Sequence, residues 1–319
     1  MDEGGSLPDA GSDKYSAGVS SPTLFPGREP DLETLLRSPP VRRWRLQALL
    51  LVLTGITTFA AGAVGWQPLV LGLDEGVAAE VGGHVGRGVT YMLAVLAVLG
   101  AHEAGHFVAA RLHAIPATLP FFLPVPVLLT GTLGAVIGME GSRANRRQLF
   151  DIAVAGPIAG LVVALPLLAA GFWIGTEGPS PFACPLAARW MLALVRPDLP
   201  AGSTLEPNPL FMAGWVGLLV TGLNMVPVSQ LDGGHVVAAL FGRRGNWVAR
   251  GVLLASIAAI VILGRTNWVL LVVLITLLGV DHPPLRDDGQ PLGALRTAIG
   301  LAALLIPLVT FMPEPLTIG

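Results

Sequence analysis

The sequence predicts an all-α polytopic membrane protein with six to seven transmembrane helices and a small re-entrant β element. Three observations carry this expectation. Hydrophobic residues make up 53% of the 319-residue chain and charged residues only 13%, against about 25% charged in soluble domains, so there is too little charge to coat a water-facing surface. Apolar runs approaching the roughly 20 residues needed to cross a hydrocarbon core recur along the chain. The mean hydropathy is +0.69, and the 40 glycines and 27 prolines suit membrane helices, which carry more of both than soluble ones.

Taken in order, residues 1–44 are polar and Gly/Ser/Pro-rich without a helical period, and are expected to form a disordered tail. Asp2 and Glu3 fit neither a secretory signal nor a transit peptide, so the tail is expected to stay in the cytosol. A membrane domain follows over 45–311, with spans expected at about 46–66, 88–112, 149–174, 209–240 (interrupted), 248–264, 268–280 and 293–311, and 312–319 form a short C-terminal tail. Arg42, Arg43 and Arg45 precede the first span. With the N-terminus inside, 15 of the 19 Lys and Arg residues fall on the inner side, as the positive-inside rule requires. The expected location is a cell membrane, crossed many times, with the N-terminus cytosolic.

Two stretches resist a simple helix. Residues 115–139 are apolar but broken by Pro116, Pro120, Pro124 and Pro126 and by Gly131, Gly134 and Gly138, which excludes a straight helix. Irregular backbone at membrane depth survives only when buried in protein or lining a watery cavity, so a short re-entrant β element is expected there, on the cytosolic side. The loop 175–207 contains LAARWMLALV, expected to be a helix on the membrane surface.

The second span holds His102-Glu103-Ala104-Gly105-His106, an H-E-x-x-H pattern. On a helix, positions i and i+4 share a face about 5–6 Å apart, so both imidazoles can reach one Zn²⁺. Glu103 beside them can take a proton from a metal-activated water. Three ionisable groups in five residues of an apolar span each cost several kcal/mol unless partnered, and a bound dication is such a partner. A catalytic zinc takes three protein ligands and keeps one position open. The fourth span offers the third in Asp232, where Pro227 and Gly233-Gly234 break the helix. His235, three residues on, is the competing ligand.

His102, Glu103 and His106, together with Asn224, Pro227, Leu231, Asp232 and Gly233 in an N-x-x-P-x-x-x-L-D-G pattern, resemble the site-2 protease family of intramembrane zinc metalloproteases. Gly131-Thr-Leu-Gly134, Asp151 and Ala155-Gly156-Pro157-Ile158-Ala159-Gly160 are similar to its compact members, so the likeness covers about 88–241. The resemblance implies His102, His106 and Asp232 as ligands of one zinc ion, Glu103 as general base, and Asn224 near the scissile carbonyl. It implies substrates that are membrane-anchored regulators such as anti-sigma factors or membrane-tethered transcription factors, cleaved within or next to their transmembrane helices, and a β strand that holds the unwound substrate. The 33-residue outer loop is too short for the PDZ domain of larger members.

The other features carry less. The Ala155–Gly160 run suits close helix packing. Arg143, Arg146 and Arg147 suit topology or anionic lipid. His84, His113 and His282 have no partner pattern. One cysteine, Cys184, excludes an intramolecular disulfide, and a net charge of −2 argues against nucleic acid as a partner. The rival class is a transporter or channel moving a transition metal ion or protons past intramembrane His and Asp residues.

Overall fold

A computed structural model of the chain describes residues 44–66, 82–139, 141–265, 268–282 and 291–311. The expected tails lie outside these residues, except that Trp44 already opens the first helix. The elements are α1 (Trp44–Ala63), α2 (Val85–Leu112), β1 (Phe121–Pro124), β2 (Thr132–Val136), α3 (Arg146–Ile174), α4 (Leu186–Val195), α5 (Pro209–Asn224), α6 (Asp232–Phe241), α7 (Gly245–Leu263), α8 (Val269–Leu278), α9 (Ala294–Ala303) and α10 (Ile306–Thr310).

Among the described residues, four helical stretches are long and apolar enough to cross a membrane: α1, α2, α3, and α6 continuing through a short 3₁₀ turn into α7, Asp232–Leu263. The remaining apolar helices, α4, α5, α8 and α9 with α10, are shorter, so helix length by itself does not reach the expected six to seven spans. The span expected over 209–240 is two helices, because Pro227 has no N–H to continue the ladder and the backbone at 225–231 turns before α6 begins at Asp232.

Helices α2, α3 and α5 pack together at the centre, around Tyr91, Leu99, Leu168, Phe172, Phe211 and Leu218. Their approach is set by small residues, as in other membrane helix pairs. A Cβ at Gly214 would strike Leu168, and one at Gly217 would strike Ala164 and Val98. The outward faces are apolar and bare: Ile56 on α1, Leu93 on α2, Val162 on α3 and Val261 on α7 are each more than half exposed. In water such a belt would be an aggregation hazard; against acyl chains it is the expected surface.

The expected β element is a two-stranded antiparallel hairpin, with Phe121 opposite Val136, Phe122 opposite Ala135, and an irregular step at Pro124 opposite Thr132. It is tied to the first two helices. Gln47 Nε2 donates to the Leu119 carbonyl at 2.7 Å and the Tyr91 hydroxyl donates to the Thr130 carbonyl at 3.0 Å. Gly131 has φ +73° and lies so close to the Thr57 carbonyl that no Cβ would fit. The helix expected at LAARWMLALV is α4.

Candidate metal centre

Regular helix geometry places the first two candidate ligands. His102 and His106 stand one turn apart on α2, both buried, with Glu103 buried beside them. Their Nε2 atoms are 3.1 Å apart, and each lies 3.3 Å from Asp232 Oδ2 at the start of α6. Tetrahedral ligand atoms about 2.0–2.1 Å from a zinc ion stand roughly 3.3–3.4 Å from one another, so this triangle already has zinc-site dimensions. Asp232 Oδ2 is buried and has no hydrogen-bond partner; a cation shared with the two imidazoles would satisfy it by coordination. Among the described residues, these three form the group able to hold a metal ion.

The surroundings fix the ligands. His106 Nδ1–H donates to the Ile152 carbonyl at 2.8 Å, which leaves Nε2 bare for a metal and sets the ring's orientation. That contact needs α2 and α3 to touch, and glycines permit it. A Cβ at Gly105 would strike the Ala155 carbonyl, one at Gly156 would fall on the His106 ring, and one at Gly160 would press on His102. The Ala155–Gly160 run is therefore helix packing, as expected, but packing against the ligand rings themselves. Pro157 lies inside α3, where its missing N–H leaves the Ala153 carbonyl without an i+4 donor, and Ala153 lines the site.

Asp232 is delivered by a break. After α5 the chain turns through Met225–Leu231, with Ser229 in the left-handed region at φ 48°. Strain of this kind costs about 1–3 kcal/mol and collects at functional sites. Gly233 and Gly234 then pass against the carbonyls of Met225, Val228 and Ser229, where no side chain fits. Asp232 sits in the first turn of α6, where the helix dipole favours a carboxylate. The Asn224 amide lies 3.2 Å from His102 Nε2.

The cluster opens into a cavity of about 550 Å³, bordered by Glu103, Asn224, Asp232 and the stretch Ala135–Met139 that continues β2. Its wall thus combines a buried carboxylate, a ligand triangle and a length of extended backbone. Residues 90–263 match the family model of Peptidase family M50. The chain belongs to this family.

Its relatives include the probable zinc metalloprotease EGY2, chloroplastic, of Oryza sativa subsp. indica, 31% identical over 240 residues, covering 72% of this chain and 43% of the relative. The probable zinc metalloprotease EGY1, chloroplastic, of Arabidopsis thaliana is 30% identical over 236 residues, covering 69% and 42%. The chain thus spans less than half the length of these relatives. No solved structure matches it. M50 membership agrees with the site-2 protease resemblance, and the printed names of these relatives carry zinc.

The five residues expected to form the site, His102, Glu103, His106, Asn224 and Asp232, border one cavity. Other residues acquire partners the motifs did not reveal. His113 and Arg296 both bind the Asp151 carboxylate, at 3.1 Å from His113 Nε2 and at 2.7 and 2.9 Å from the guanidinium, and Asp151 immediately precedes the carbonyl that orients His106. Arg146, expected to serve topology or lipid, donates to the Ala239 and Leu240 carbonyls near the end of α6. Arg147 donates to the Pro291 carbonyl at 2.8 Å. His282, which had no pattern, meets His235. Each of these pairs spans at least 38 residues of sequence, so no local spacing signals it. Cys184, in the loop after α3, is half-buried, and burial pushes its thiol up, which leaves little reactive thiolate.

Proposed function

We propose that the chain is an intramembrane zinc metalloendopeptidase that hydrolyses a peptide bond within or beside a transmembrane helix. His102, His106 and Asp232 hold one Zn²⁺, Glu103 is the general base, and Asn224 donates to the scissile carbonyl. The observation that carries this reading is the meeting of three ligand atoms 3.1–3.3 Å apart beside a buried carboxylate, at the centre of an apolar helix bundle.

A bound zinc ion supplies polarisation of a water molecule and of the substrate carbonyl. Glu103 accepts one proton from the attacking water as the water oxygen bonds to the carbonyl carbon, and the C=O electron pair moves onto the carbonyl oxygen. When the C–N bond breaks, its electron pair leaves on nitrogen, which takes the proton from Glu103. The products are one carboxyl and one amine. Glu103 is buried beside the two imidazoles, so one carboxylate can take the proton from the water and return it to the leaving nitrogen. A helical substrate hides its peptide groups, so it must unwind first. The extended stretch after β2 borders the cavity and can hold an unwound segment through main-chain hydrogen bonds.

The membrane domain runs over 45–311, and two or three shorter crossings among α5, α8 and the α9–α10 pair add to the four long ones, for six to seven in all. The N-terminus is cytosolic, by the excess of Lys and Arg on that side, and the location is a cell membrane. The substrates are single-span membrane-anchored regulators, such as anti-sigma factors or tethered transcription factors.

The test is incubation of purified protein with a transmembrane reporter, wild type against Glu103→Gln, with zinc measured on both. Wild type should cleave and carry about one zinc per chain, and Glu103→Gln should keep the zinc and lose cleavage. Cleavage surviving in Glu103→Gln would contradict the proposal.

A further inference from the structure

The cavity holds a second pair of imidazoles that the chemistry above does not use. His235 lies three residues past Asp232 on α6, so the two share a helix face, and both line the cavity. His235 Nδ1 is 2.7 Å from His282 Nε2, with the rings edge to face at 4.9 Å. His282 lies outside residues 90–263, the stretch matched to the M50 family.

The turn carrying His282 is seated with care. Arg250 on α7 donates from Nε and Nη2 to the two oxygens of Asp281, at 3.0 and 2.6 Å. The His282 backbone N–H donates to Asn246 Oδ1, also on α7, at 3.2 Å. Helix α7 therefore fixes the turn, the turn fixes His282, and His282 fixes the His235 ring. His235 Nδ1 thus faces His282 Nε2, and the ring's other nitrogen, Nε2, is not taken up by this contact. The same contact occupies Nδ1 as a ligand atom, which leaves the third metal position to Asp232.

We infer that His235 is a further catalytic residue, donating its Nε2–H to the substrate carbonyl oxygen as charge builds there, and that His282 is the positioning residue that sets its tautomer and orientation. This rests on the protease reading above. Charge developing on a carbonyl oxygen is stabilised best by donors already in place, and loss of one such donor costs about 10²–10³-fold in kcat. A ring clamped through its far nitrogen is such a donor, and Asn224 is the other.

The experiment uses the full-length protein and the transmembrane reporter, reading kcat, KM, zinc content and thermal unfolding for wild type, Glu103→Gln, His235→Ala, His282→Ala and His282→Gln. His235→Ala should lower kcat by about 10²-fold or more, with KM within about threefold and zinc retained. His282→Ala should lower kcat by about tenfold, and His282→Gln, whose amide N–H still donates to His235 Nδ1, should recover most of that loss. The inference is overturned if His235→Ala keeps wild-type kcat, if its loss of rate tracks loss of zinc, or if glutamine at 282 does no better than alanine. An inactive wild type would remove the protease reading and this inference with it. An active wild type with a silent Glu103→Gln and a fully active His235→Ala would remove this inference alone.

Discussion

The two halves of the candidate metal centre are built by opposite means. Its first half, α2 packed on α3, is uninterrupted helix: two ligands at i and i+4 need nothing beyond the helical repeat, and glycines at 105, 156 and 160 let the neighbouring helix close on them. Its second half, α5 to α6, is a broken helix: the chain stops at Asn224, turns through a left-handed Ser229, and restarts at Asp232. A regular helix can present a pair of imidazoles but cannot bring a carboxylate from another segment end-on to the same point. Starting a helix at the site does so, and places the carboxylate where the helix dipole stabilises it. The first half is rigid by packing; the second half is placed by backbone.

That contrast can be broken by adding one methyl to either half. Gly156→Ala puts a Cβ onto the His106 ring between two packed helices that have nowhere to move, and should cost about 100-fold in cleavage, with loss of zinc. Gly100→Ala, on the same helix as the histidines but with open space around it, is the control and should leave both unchanged. Gly233→Ala meets the Met225 and Val226 carbonyls, which belong to a turn rather than to a packed helix pair, and should cost nearer tenfold to thirtyfold. Equal losses in the two variants would mean that the turn is as rigid as the helices.

A gentler change sharpens the comparison. Asp151→Asn weakens the clamp by Arg296 and His113 on the chain next to the Ile152 carbonyl, and should lower zinc affinity by about tenfold in a metal-buffered titration. Unchanged affinity would make the cluster a fastener for α9 alone. The smallest effect is expected at the start of α3, where Asn145 and Gln148 form a reciprocal capping box. Asn145→Ala should cost about 1 kcal/mol of stability with the zinc site intact, read as a modest drop in unfolding temperature.

Much of this architecture is legible in the sequence, for physical reasons that also mark where legibility ends. His102, Glu103 and His106 announce themselves because their spacing equals a helical turn and because ionisable groups are rare in apolar runs. The proline-broken stretch 115–139 reads as non-helical for the same backbone reasons that make it a hairpin. The Ala155–Gly160 run reads as packing, but that it packs on the ligand rings depends on how α2 meets α3. His113 with Asp151, Arg146 with the end of α6, and His235 with His282 are invisible in sequence, because each joins segments far apart along the chain. Span counting is the weakest point: helices of 16 residues or fewer, such as α5 and α8, carry apolar composition but not the length that identifies a crossing.

The central claim is that one zinc ion is held jointly by the two halves. The most direct measurement is the zinc content of purified wild-type protein beside that of Asp232→Ala, with folding of both confirmed by helical circular dichroism. The account predicts about one zinc per chain in the wild type and a loss of most of it when the carboxylate from the broken helix is removed. Undiminished zinc in folded Asp232→Ala would contradict it.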